Sequence, residues 1–420
     1  MTSMDSDDTK AAIVCTLRMP DHEETTTRSF VEYHLKIGFS HIFLFFDVSE
    51  PSNSYKELCE RPDVTACLRD EHLRKRLQAL DIWKDWGEYY EDEVQARQSL
   101  NATLALEMCR KRGLKWLLHI DSDELFHVEN EENTIHAHFA KLERDNVMAL
   151  TYTNHEGVPE NLNVTSKRQD YFRTITLFRR HFLSLKMSSE VRECMKWWER
   201  RTKHGQYFLA YDNGKSVTRV LDNVVPRSVH RWRLPEKYES RNLTSLIDSR
   251  SLDIKRVYAN PGACVLHYVV CGLDWFWSKY KILGNFPSAW FGGTMPIAPC
   301  FHTDSRDVFS SGSREIAKTF FQKQVLLHRI RDQKIRSRHV RAGVLFRCEA
   351  PRKILGYDIE DEEDEDVDVE KEEEGPEESS KKQLPQQNNT TTEACTYDKA
   401  WILSNVAQGF LLPSPKSSSS

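Results

Sequence analysis

Three carboxylates within four residues, Asp121, Asp123 and Glu124, close the apolar run Trp116-Leu117-Leu118-His119-Ile120. A strand over 115–120 would deliver Asp121 and Asp123, two apart, to one side of its carboxyl end, because side chains alternate along a strand. That end is where open α/β sheets bind ligands. Two hard oxygens on one side suit Mg²⁺ or Mn²⁺. Such an ion bridges a diphosphate and stabilises the charge that develops as it departs. Asp-Ser-Asp is also good material for turns and helix caps, so this spacing does not by itself identify a metal site.

The elements that must position this cluster are legible upstream. Residues 11–18 form a β-rich apolar run, and Phe30, Tyr33, His34 and Ile37 recur at helical spacing over 22–38 until Gly38 ends the pattern. A second apolar run, 41–47, is closed by Asp47, Ser49, Pro51 and Ser52, which reads as a βαβ start with a parallel sheet. A third strand at 64–69 ends at Asp70, and a long helix over about 90–112 leads into the 115–120 strand. Residues 147–153 and 172–178 predict further strands, with His155, Glu156 and Glu160 in the loop between them. Helices follow near 273–283 and 313–335. The fold class is α/β, a mostly parallel central sheet flanked by helices.

The net charge of −5 conceals an asymmetry, since residues 358–378 hold fifteen Asp or Glu and one Lys. Without them 49 acidic residues face 58 basic ones, so the body carries about +9. A mildly basic body fits an anionic ligand such as a nucleotide and falls short of the charge density of a nucleic-acid binder. Segment 358–400 is too polar to bury a core and is expected to be disordered. The domains are therefore a polar start over 1–10, a catalytic-sized body over 11–357, the acidic segment, and a tail over 401–420 with the apolar patch Trp401 to Leu412. Ten cysteines without a C-x-x-C pair read as core residues of a reducing compartment. No apolar run approaches the ~18 residues of a membrane span, so a cytoplasmic protein is expected from the residues alone.

With these residues in hand, the chain resembles GT-A-type glycosyltransferases, near the family-2-like and family-92-like groups. The similar features run in order. They are the opening strand, Glu32-Tyr33-His34-Leu35-x-Ile37-Gly38, the strand His41 to Asp47, Gln95-x-x-Gln98-x-x-Asn101 before the D-x-D, and Asn154-His155-Glu156-x-x-Pro159-Glu160. Asn213-Gly214-Lys215-Ser216 with Arg219, His230-Arg231-Trp232, and His267-Tyr268 with Trp275, Phe276 and Lys279 complete them.

The resemblance implies a Rossmann-like GT-A fold and transfer of a sugar from a UDP- or GDP-linked donor to a glycan, protein or small-molecule acceptor. It implies Asp47 and Asp70 near the nucleoside and Asp121 and Asp123 on a Mn²⁺ or Mg²⁺ ion and its diphosphate. His267 would complete the metal shell, with Lys215, Arg219 and Lys279 on the phosphates and Gln98 beside them. It also implies a Golgi setting, whereas the usual membrane anchor is not found in this sequence. Asp47 equally fits an Asx-turn with Ser49, His267 a core histidine in a β-like run, and Gln98 a packed helix face. An inverting transfer needs a general base at the acceptor hydroxyl. Glu156 is the expected base, with Glu160 and Glu124 as alternates. Two other classes use similar features: a nucleotidyltransferase on a similar sheet, and a non-catalytic protein that displays its acidic tail to basic partners.

Overall fold

A computed structural model describes residues 9–18, 24–50, 52–129, 135–163, 170–245, 256–259, 261–297, 299–327 and 333–356. The acidic segment and the Trp401 to Leu412 patch lie outside the described residues. The chain is mixed α/β. Its strands, numbered in chain order, are β1 (Ala11–Leu17), β2 (His41–Phe46), β3 (Val64–Leu68), β4 (Trp116–His119), β5 (Glu124–Val128), β6 (Ala149–Tyr152), β7 (Asn154–Gly157) and β8 (Leu177–Arg179). They continue as β9 (Lys215–Arg219), β10 (Val225–Ser228), β11 (Arg231–Arg233), β12 (Asn242–Thr244), β13 (Ala263–His267), β14 (Ala289–Trp290), β15 (Met295–Pro296) and β16 (Leu345–Arg347).

Seven strands form the main sheet in the order β12-β6-β9-β4-β1-β2-β3, and four of its six pairings are parallel. β1 and β2 are buried along their whole length, which is why they read as continuous apolar runs. Ile13, Ile42, Leu44 and Leu118 pack on one face of this sheet and Val14, Phe43, Phe45 and Leu117 on the other. The helix Val94–Arg112 covers the second face through Ala96, Leu100, Leu104 and Ala105 and stops at Gly113, whose φ of 68° suits a residue without Cβ. A second, five-stranded sheet runs β16-β8-β7-β13-β5. It begins immediately after β4, so the turn 120–123 joins the two sheets.

Three expectations change here. Asp121 and Asp123 sit in that inter-sheet turn, closed by the Glu124 amide donating to the Asp121 carbonyl at 3.2 Å, and not on strand alternation. Within the expected strand 172–178, Asp170 caps a short helix Tyr171–Thr174 and only β8 remains extended. The expected helix 313–335 is described as Arg314–Gln324, followed by a separate Gln333–Arg341. Near the carboxyl side of the fold, Leu273–Leu283 packs Phe276 and Tyr280 against Phe301 and Phe321 of two later helices.

Candidate functional site

Both carboxylates of the inter-sheet turn meet lysines from distant elements. Asp121 accepts from Lys215 Nζ at 2.6 Å on one oxygen and from Gln98 Nε2 at 2.7 Å on the other. Asp123 accepts from Lys279 Nζ at 2.8 Å, and His267 Nε2 lies 3.8 Å from the same oxygen. Glu124 folds back under the turn, where its Oε2 accepts the Asp121 amide at 2.7 Å and stands 3.6 Å from Lys215 Nζ. The fold explains each arrival. Lys215 opens β9, Lys279 lies on the helix Leu273–Leu283, and His267 closes β13 in register with Glu124. The Tyr268 amide donates to the Asp123 carbonyl at 2.8 Å and pins the turn to β13.

The charges are strongly coupled. Burial would raise the Asp121 carboxyl, but the Lys215 ammonium outweighs it and holds the group below its ordinary range. Asp123 behaves the same way, held down by Lys279 and His267 against burial. Burial pushes Glu124 up to about 7 despite Lys215. Burial would lower the His267 ring, yet the Asp123 carboxylate keeps it above its ordinary value. Two carboxylates and an imidazole are ligand types that Mn²⁺ accepts; with the lysines in place, their ligand atoms are not all gathered within 4.8 Å of one another. Each lysine that now satisfies a carboxylate is also a cation for phosphate.

The other expected residues divide. Asp47, after β2, is held by Arg97 at 2.7 and 2.9 Å and lies 3.5 Å from Arg69 and 3.9 Å from Arg18, at the carboxyl ends of β1, β2 and β3. Arg97 and Gln98 are consecutive, so the first turns of one helix tie Asp47 to the Asp121 cluster. Asp70 is the N-cap of Glu71–Gln78 and accepts the Leu73 amide at 2.7 Å through one oxygen. Arg219 pairs with Trp116 at the start of β4, four residues or about 13 Å along the strands from Lys215. It is not brought to the carboxylates. Glu160 pairs with Arg336 and Arg347, the latter at 2.6 Å.

Glu156 does not fit a free base. It is on β7 and not in a loop, it is buried, it pairs with buried Arg179, and it accepts the Leu209 and Ala210 amides at 3.0 and 2.6 Å. Asn154, on the same face of β7, donates to the Tyr211 carbonyl at 2.9 Å. This face therefore clamps the segment 209–211 that precedes Lys215. Sequence reasoning missed Arg97 and Tyr211. Arg97 adjoins Gln98 and Tyr211 lies two residues before Asn213, and that nearness was the only signal.

A second cluster, Glu129, His155 and Cys264, brings its ligand atoms within 4.8 Å of one another. Strand alternation puts it on the opposite face of the five-stranded sheet from His267. His155 Nδ1 already accepts the His181 amide at 2.9 Å. A neutral ring then carries its proton on Nε2, which leaves no lone pair for an ion.

No family model matches the chain. It is similar to two glycosyltransferase-like proteins of Arabidopsis thaliana. It is 27% identical to one over 346 residues, 78% of this chain and 68% of that protein, and 25% identical to the other over 343 residues, 78% of this chain and 60% of that protein. Among solved structures, core-mannan synthase A of Aspergillus fumigatus in a manganese and GDP form covers 52% of this chain and 62% of its own at 12% identity, with a TM-score of 0.25. The bifunctional glycosyltransferase WbbM covers 51% and 32% at 13% identity, with a TM-score of 0.21. Neither structure is close enough to transfer residue roles. The sequence relatives bear out the resemblance to glycosyltransferase-like proteins. Among the described residues no helix is long and apolar enough to cross a membrane.

Proposed function

We propose that this relative of glycosyltransferase-like proteins transfers a sugar from a nucleotide-sugar donor to an acceptor hydroxyl at the inter-sheet turn. One observation carries the proposal: two carboxylates of the inter-sheet turn meet an imidazole and two lysines from three other elements beyond the carboxyl end of β4. Asp121, Asp123 and His267 would hold Mn²⁺ or Mg²⁺, which when bound supplies positive charge to the departing diphosphate. Lys215 and Lys279 turn from carboxylate to phosphate and add to that charge, while Gln98 keeps Asp121 oriented. The arginines around Asp47 border the place where a nucleoside would lie in a parallel sheet of this kind.

Of the three carboxylates expected as bases, Glu124 alone lies in the cluster. Its Oε1 is buried without a partner among the described residues, and a carboxylate so placed can take a proton from an acceptor hydroxyl. We assign it that role. Most of the rate enhancement would come from positioning and fixed charge.

The test is thermal stabilisation by UDP and GDP with and without Mn²⁺. The native protein is expected to gain several degrees only with both present, and Asp123→Ala to gain almost nothing. Equal stabilisation of the two proteins would sink the metal assignment.

A further inference from the structure

Tyr211 stands in the middle of this site with a hydroxyl that the protein leaves unsatisfied. Its ring packs 4.7 Å from the His267 ring and 4.5 Å from the His230 ring, and Lys215 Nζ lies 5.1 Å from its centroid. Its Oη is buried and has no hydrogen-bond partner among the described residues. The same holds for His267 Nδ1, Asn154 Oδ1 and Glu124 Oε1, each on a residue joined to Tyr211 directly or through His267. A buried polar group left unmade costs about 1–3 kcal/mol, and phenylalanine would supply the same ring packing without that cost.

The backbone around Tyr211 is held from every side. Asn154 donates to its carbonyl, His181 Nε2 bonds the Asp212 carbonyl at 2.7 Å, and His230 Nδ1 bonds the Gly214 carbonyl at 2.9 Å. A hydroxyl that lacks a protein partner and sits on so firmly fixed a segment is suited to a partner that comes and goes.

We propose that Tyr211 Oη is a positioning group that hydrogen-bonds a hydroxyl of the sugar at the reaction centre. This rests on the transferase reading and adds the residue that distinguishes a nucleotide-sugar from the bare nucleotide. The sugar hydroxyl could belong to the donor or to the acceptor, and the two are separable. A phenol beside two histidines and a lysine can give its proton to a sugar oxygen or accept from a sugar hydroxyl, so either source satisfies it.

The experiment compares the native protein with Tyr211→Phe in Mn²⁺. Stabilisation is measured with UDP, GDP and a panel of their sugar conjugates, followed by donor hydrolysis and by transfer to a mixed oligosaccharide acceptor pool. The variant is expected to be at least as stable as the native protein without ligand and equally stabilised by the bare nucleotides. If the donor sugar is the partner, the extra stabilisation by the sugar conjugate disappears and both hydrolysis and transfer fall about tenfold or more. If the acceptor is the partner, transfer alone falls and hydrolysis is retained. A native protein that responds to a sugar conjugate, with a variant identical to it in binding, hydrolysis and transfer, overturns this inference alone. A native protein stabilised by no nucleotide or conjugate overturns the transferase reading and this inference with it.

Discussion

Glu156 shows how a residue type that suits catalysis can serve the site indirectly. Its two oxygens answer Arg179 and the amides of Leu209 and Ala210, and all of these groups are buried. Removing one member of a buried pair leaves the other charge uncompensated and typically costs about 3–5 kcal/mol. Glu156→Gln keeps the size but loses the charge and cannot satisfy two amide donors and the guanidinium equally. It is therefore expected to lower the urea midpoint by several kcal/mol equivalent. Turnover under strongly native conditions should fall only modestly, because the carboxylate only holds the segment before Lys215. A base would show the reverse, a loss of turnover by a hundredfold or more in a protein of native stability. Urea unfolding and donor turnover, measured on the same preparation, separate the two.

At the scale of elements, the segment from Tyr211 to Lys215 is the piece on which the site depends. Gly214 makes its path possible: its φ is +70°, and a Cβ there would stand 1.9 Å from the Tyr152 carbonyl oxygen. Both facts disfavour any side chain, the first by strain and the second by overlap with backbone that cannot retreat. Gly214→Ala is expected to destabilise the protein by more than about 1–3 kcal/mol and to draw Lys215 away from Asp121. Its urea midpoint should drop with an unchanged slope, and nucleotide stabilisation should weaken even at temperatures where it remains folded. Native-like nucleotide response in a folded Gly214→Ala protein would show that the segment does not position Lys215.

The same elements show what the residues could and could not reveal in advance. Strands β1, β2 and β4 were legible because apolar faces on both sides leave a continuous run, and the carboxylates were legible because such a run ends at them. Tyr211, Arg97 and the true place of Glu156 were not. What each does depends on which strand lies beside it in space, and β7 and β13 are brought together from positions more than a hundred residues apart. Residues 172–178 read as strand, but the Asp170 side chain accepts the Phe172 amide and caps a helical turn over Tyr171–Thr174, so only Leu177–Arg179 is extended.

At the scale of the whole molecule, the number of buried histidines has a consequence for pH. His34, His138 and His181 are fully enclosed, and burial lowers their rings from 6.5 to about 3, about 4 and about 4. Each takes part in a hydrogen bond as a neutral ring: His34 Nε2 accepts the Phe126 amide at 3.0 Å, His138 meets the Tyr152 hydroxyl at 2.7 Å, and His181 Nδ1 accepts the Leu183 amide at 3.1 Å. Their folded values lie below the unfolded one. Between those values the unfolded chain binds protons that the folded chain does not, so stability is complete above about pH 6.5 and is lost as pH falls toward 4. By pH 5.5 each ring removes about 1 kcal/mol, and the three together about 3–4 kcal/mol, a large part of the stability of an ordinary domain. The melting temperature should therefore fall steeply between pH 7 and pH 5.5, well before Asp121 and Asp123 are protonated. Thermal unfolding across that interval measures it. A melting temperature constant from pH 7 to pH 5.5 would mean that these rings are protonated or hydrated in the folded protein, contrary to their burial.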